Sequence, residues 1–307
     1  MRARLTIVLL ALFVVCDVAL VTLSFRHTSA SSPQAVPLDT PSASRSHTPS
    51  APSVPTSAPK SGGRSQSHAL PTGAPVYLTL GADGRALLAS RGDCDTREAP
   101  RVMVTEREGS SFRSRPVDGL TEVLRVTAQN DGSMWLIGRT ENCTVGRWTS
   151  SNAGRSWRPT DGPGAEWYLA PSPTQQAVFA PGGRRRSPPC VPLSVSPVDA
   201  TVARLLCDGG AAMGTSDGGV SWVQLGRLNG AVSFEFSTPG DGVAIAVLRG
   251  CPAAVMITSD GGAQWSQMAC LEGDEPRAIS RAGDHLVAVV GQQTAVSTDG
   301  GKTWSAD

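Results

Sequence analysis

The stretch Thr215-Ser216-Asp217-Gly218-Gly219-Val220-Ser221-Trp222 decides how this 307-residue chain is read, because it returns twice without gaps. Thr258-Ser259-Asp260-Gly261-Gly262-Ala263-Gln264-Trp265 is the second copy, and Ser297-Thr298-Asp299-Gly300-Gly301-Lys302-Thr303-Trp304 the third. The shared pattern is Ser/Thr-x-Asp-Gly-Gly-x-x-Trp. A fourth copy, Ser150-Ser151-Asn152-Ala153-Gly154-Arg155-Ser156-Trp157, keeps the hydroxyl, the second glycine and the tryptophan but has asparagine for the acid. A fifth is faint: Thr105, Gly109 and Phe112 match, with Arg107 in place of the acid. Each position has a local reason. An aspartate accepts backbone N–H bonds inside a turn, glycines take the positive φ values a hairpin needs, and a tryptophan opening the next strand buries a large ring.

Outward from these turns, from Pro75 on, short apolar or β-branched runs alternate with Gly, Asp, Asn and Pro. VYLTL, EVLRVTA, SMWLIG, AVSFEF, GVAIAVL and HLVAVV are examples. They have strand length and strand spacing, and no long helical period interrupts them, so the region is expected to be all-β. The repeated turns resemble the Asp-box, or BNR (bacterial neuraminidase), repeat of β-propellers. That family includes sialidases, sortilin-type receptor propellers and the photosystem II assembly factor propeller. The resemblance covers residues 76–307 and implies a propeller with boxes on its rim, away from the axis. It implies structural roles for Asp217, Asp260 and Asp299 rather than catalysis or calcium binding. It does not carry an activity, because propellers host unrelated functions.

The aromatic spacing counts blades. Phe112 to Trp157 is 45 residues, Trp222 to Trp265 is 43 and Trp265 to Trp304 is 39, normal for four-stranded blades. The 65 residues from Trp157 to Trp222 leave room for an insertion or for a short boxless blade near 165–190. WYLAP and AVFAP read as its strands, which favours six blades, with five and seven left open. The final outer strand after Trp304 is short, so ring closure is expected to draw on residues just before Val76.

The N-terminus has a different texture. In residues 1–27, Arg2 and Arg4 precede an apolar run from Leu5 to Phe25, long enough at about 30 Å to cross a bilayer core. An uncleaved signal anchor, with the rest of the chain outside, is expected. Alternatives are a signal peptide cleaved near Thr28-Ser29-Ala30, which would release the chain as a secreted protein, and lipidation at Cys16. Residues 28–75, with 17 Ser or Thr and nine Pro, read as a disordered linker.

Of seven cysteines, Cys16 lies in the apolar run and six lie beyond it, an even number in a chain read as exported. Their places in the repeat suggest Cys251 with Cys270, Cys190 with Cys207, and Cys94 with Cys143 across adjacent blades. Fifteen connectivities exist, and free buried thiols are the alternative.

Composition narrows the chemistry. Net charge is +1, with no field that would recruit nucleic acid. Only His285 of the four histidines falls in the repeat region, which leaves no multi-histidine metal site and little room for Ser-His-Asp catalysis. No metal, cofactor or catalytic residue is assigned. A sialidase-like reading implies an arginine triad, a tyrosine nucleophile with its glutamate and an Asp acid/base. The chain has only Tyr77 and Tyr168, both in expected strands, and Phe112-Arg113-Ser114-Arg115-Pro116 departs from that class's opening motif. Arg91-Gly92-Asp93 spells an integrin tripeptide, Arg184-Arg185-Arg186 reads as a solvated loop, Asn142-Cys143-Thr144 is a sequon, and Trp135, Trp148 and Trp167 read as core. The expectation is a membrane-tethered, extracytoplasmic, non-enzymatic propeller that binds an envelope protein or polysaccharide. A glycan-cleaving hydrolase is the alternative.

Overall fold

The computed structural model describes residues 70–105, 111–171 and 176–306. The expected anchor, the linker up to residue 69 and the centre of the faint fifth motif lie outside the described residues. Among the described residues, twenty-three strands form six antiparallel sheets, each a meander in which sheet neighbours are sequence neighbours. The first blade is β1 (Val76–Leu80), β2 (Ala86–Ser90), β3 (Val102–Thr105) and β4 (Phe112–Ser114). The second is β5 (Leu120–Ala128), β6 (Met134–Thr140), β7 (Val145–Ser150) and β8 (Arg158–Thr160). The third has three strands, β9 (Tyr168–Leu169), β10 (Val178–Ala180) and β11 (Arg184–Arg186). The fourth is β12 (Pro192–Pro197), β13 (Ala203–Cys207), β14 (Ala211–Thr215) and β15 (Val223–Arg227). The fifth is β16 (Ala231–Phe236), β17 (Gly242–Leu248), β18 (Cys251–Thr258) and β19 (Ser266–Cys270). The sixth is β20 (Pro276–Ala282), β21 (His285–Val290), β22 (Gln293–Ser297) and β23 (Ser305–Ala306). This is an all-β, six-bladed propeller.

The apolar core lies between the blades. Leu87 and Val104 of the first blade pack on Val123, Leu136 and Trp148 of the second. Trp167 and Val178 of the third meet Leu205 and Met213 of the fourth, and Ile245 and Val255 of the fifth meet Ile279 and Leu286 of the sixth. Strands buried on both faces explain the near-continuous apolar runs such as GVAIAVL. The short third blade is the boxless one. Arg184–Arg186 is not the loop expected from its composition. It is strand β11, because Arg186, Arg185 and Arg184 pair in register with Val178, Phe179 and Ala180.

First and last blades share no strand, so the ring closes through side chains and one docked segment. Leu80 and Ala86 pack on Val287 and Val296. Leu70 is buried against Leu88, Met103 and Val289. Its N–H donates to Gln292 Oε1 at 2.7 Å and its carbonyl accepts from Gln292 Nε2 at 2.8 Å. Arg277 donates to the carbonyls of Pro71 and Ala74 at 2.7 and 2.6 Å. Residues 70–75 thus belong to the folded body, not to the linker. This is the closure by residues just before Val76 that the short final strand led one to expect, and the 28–75 linker ends short of it.

Three disulfides are present: Cys94–Cys143 between the first two blades, Cys190–Cys207 at the fourth, and Cys251–Cys270 within the fifth.

Candidate functional site

The inner strands surround a central channel of about 530 Å³. Each inner strand is the edge of its sheet, so unpaired backbone groups line the lumen. A polar girdle joins these strands near their C-terminal ends. Thr79 Oγ1 accepts the Ala128 N–H at 3.4 Å, Ser196 Oγ the Phe236 N–H at 2.8 Å, Glu235 Oε2 the Arg281 N–H at 2.8 Å and Ser280 Oγ the Leu80 N–H at 2.8 Å. Side chain to next-blade amide is one repeated bond, and three of its four acceptors are hydroxyls. Among the described residues no such bond is seen at the two flanks of the short third blade.

Because the strand ends meet at the girdle, the strand starts share the opposite mouth. The three disulfides gather there. Cys207 pairs in register with Pro192 at the start of β12. Cys251 lies opposite Leu248, past the Ala231–Ala246 pair that opens β16. Cys94 and Cys143 sit in loops that follow strand ends paired with the starts of β1 and β5. The boxes lie at the other face, since Thr215 pairs with Ala203, itself paired with the end of β12. No box residue lines the channel.

The stapled mouth is reinforced by a buried ion cluster. Arg91 contacts Glu122 Oε1 at 3.0 Å and donates to the Ala170 carbonyl at 3.0 Å, while Arg139 Nη1 reaches Glu122 Oε2 at 3.1 Å. Glu122 is fully enclosed, and two guanidinium partners compensate its charge. Arg91-Gly92-Asp93 is therefore not an exposed recognition tripeptide. Its arginine is buried, and its aspartate accepts the N–H groups of Asp95 and Thr96.

Two charged residues in the channel wall are bound differently. Arg125, on β5, is half-buried and its Nε has no partner. Its guanidinium lies 5.7 Å from the Trp135 ring, which Arg147 also faces at 4.7 Å. Burial pulls the Arg125 pKa down to about 10, against the opposing charges of Glu166 and Glu235. Burial likewise pushes the Glu235 carboxyl above its ordinary range, opposed by the Ser280 hydroxyl, the Arg281 N–H and the Arg125 charge. Sequence reasoning passed over both. The signal was available: Glu235 stands where the other inner strands place Thr or Ser.

The tyrosines do not resemble an activated nucleophile. Tyr168 is buried and stacked on Phe179 at 4.8 Å, and burial pushes its hydroxyl up to about 12. Burial also raises Tyr77, which does line the channel. Trp135, Trp148 and Trp167 are all buried. Among the described residues no three His, Cys, Asp or Glu side chains are grouped to hold a metal ion.

The four box copies share one bonding pattern. Thr215 Oγ1 donates to Asp217 Oδ1 at 2.8 Å and accepts the Gly219 N–H at 2.9 Å, while Asp217 takes the Ser221 N–H and hydroxyl. Thr258, Asp260 and Gly262 repeat this, as do Ser297, Asp299 and Gly301. Ser150, Asn152 and Gly154 do so with an amide. The box carboxylates are held below their ordinary range: Asp217 first by the Ser221 hydroxyl, Asp299 first by the Thr303 hydroxyl, Asp260 first by the Gln264 N–H.

No protein-family description matches the chain, and no curated protein matches it. Solved structures do. YCF48 bound to D1 peptide matches at 24% identity over 39% of this chain and 42% of that one, with TM-score 0.33. A GH74 enzyme of Niastella koreensis matches at 11% identity over 73% of this chain and 45% of that one, with TM-score 0.42. YCF48 from Cyanidioschyzon merolae matches at 16% identity over 77% and 86%, with TM-score 0.30. The chain thus spans less than half the length of the first two.

Proposed function

We propose that this chain is an Asp-box-type propeller tethered outside the cell membrane by its N-terminal segment. It acts there as a non-enzymatic binding or assembly module for an envelope protein or glycan. The observation that carries the reading is the segregation of the two faces. All three disulfides stiffen the face where the inner strands begin, while the boxes brace the other. Fixing loops before a partner arrives lowers the entropic cost of binding. Apolar side chains are offered at that mouth: Val191 is 42% and Leu193 43% exposed. Two half-buried carboxylates, Glu235 and Glu275, line the channel, Glu275 within 3.9 Å of the Arg277 guanidinium.

The test is capture from envelope extracts with the full-length chain, alongside a fluorogenic glycoside panel. Leu193→Glu should cut capture about ten-fold, whereas Val223→Glu, on outer strand β15, should leave it unchanged. Glycoside turnover lost on substituting Glu235 would replace this reading with the hydrolase.

A further inference from the structure

The channel carries charge that the fold does not need. Arg125 makes no hydrogen bond or ion pair among the described residues, and its Nε is buried and unpartnered. The Oγ of Ser194, another lining residue, is also buried and unpartnered. Glu235 holds a girdle position that Thr79, Ser196 and Ser280 fill with hydroxyls. A hydroxyl makes that bond without desolvating a charge. Arg125 and Glu235 feel one another electrostatically but form no ion pair. Charges held in a cavity without an ion pair are costly, and such groups collect where a ligand completes them.

We propose that the axial channel binds a small zwitterion of the α-amino acid class. The ligand carboxylate sits on the Arg125 guanidinium, its ammonium on the Glu235 carboxylate, and Ser194 supplies a hydroxyl. A volume of about 530 Å³ falls in the range of small-molecule sites. An acidic sugar would bring a second anion toward Glu235, and a simple amine would leave Arg125 unpaired. The proposal goes beyond the docking reading, and because Leu193 borders the channel as well as the mouth, its test leaves Leu193 unaltered.

Differential scanning fluorimetry on the full-length chain, with each proteinogenic amino acid in turn at about 5 mM, tests it. At least one should raise the unfolding midpoint saturably by about 3 °C or more. Its N-acetyl and amide derivatives should bind at least about ten-fold more weakly. Arg125→Gln and Glu235→Gln should each abolish the shift. The derivative series on the unaltered protein decides the matter if a variant fails to fold. No shift with any amino acid, equal binding of the blocked derivatives, or a shift with D-glucuronate alone would overturn the assignment. A blank here with mouth-dependent capture intact would sink the channel ligand and leave the docking face standing.

Discussion

Ser280 of the sixth blade accepts the backbone N–H of Leu80 of the first through its Oγ at 2.8 Å, and this bond helps close the ring. The same hydroxyl stabilises the carboxylate of Glu235 in the fifth blade. One small side chain thus ties three successive blades at the axis. Replacing it leaves a buried amide unpaired, which costs about 1–3 kcal/mol. Ser280→Ala should lower stability by that amount in urea titration, while Ser280→Thr should retain most of it.

Arg125 and Glu235 should cost stability where they stand. Arg125→Met removes a half-buried charge whose Nε has no hydrogen-bond partner, keeps an apolar contact with Trp135, and should raise the unfolding midpoint, by about 1 kcal/mol of stability. A fall in midpoint would show that the guanidinium is a structural element after all.

The disulfides should differ in worth. Cys94–Cys143 closes a separation of 49 residues, Cys190–Cys207 one of 17 and Cys251–Cys270 one of 19. Loop-closure entropy gives about 4 kcal/mol for the first and about 3 kcal/mol for each of the others. Denaturant titration of the three paired Cys→Ala variants should place Cys94→Ala/Cys143→Ala as the largest loss.

Gly219 should resist substitution. Its φ is +79°, and an added Cβ would fall 2.9 Å from Arg186 Cγ and 3.2 Å from the Trp167 ring. The box of the fourth blade approaches the third blade too closely for any side chain. Gly219→Ala should cost about 2 kcal/mol or more, measurable by thermal melt, with the third-blade seam the first to lose exchange protection.

The box aspartates set an acid limit. Their folded pKa values lie below the ordinary carboxylate value. Their contribution is therefore present above the unfolded value of about 4 and lost as pH falls below it. Stability should hold from neutral pH to about 5 and decline below about 4. Asp217→Asn and Asp299→Asn should flatten that decline, since an amide keeps the turn bonds, as Asn152 shows, without titrating.

The blades were legible because the motif at Asp217, Asp260 and Asp299 encodes a turn locally and strand length sets its period. The three cysteine pairs, suggested by place in the repeat among fifteen connectivities, are the ones observed. That residues just before Val76 help close the ring was legible from the short strand after Trp304, but their partners Gln292 and Arg277 were not, since they bind carbonyls and amides that no composition reveals. Arg184–Arg186 reads as a loop because Gly and Pro flank it, yet it pairs with Val178–Ala180 as a strand. Arg125 and Glu235 lie far apart in sequence and come to line one channel only when the second and fifth blades face one axis.

The central claim is that partners meet the stapled face. A photo-crosslinking amino acid placed at Leu193 or at Val223 in the full-length chain tests it directly in intact cells. The account predicts a specific adduct from position 193 and none from 223. Adducts from 223 alone, or from neither position, would contradict it.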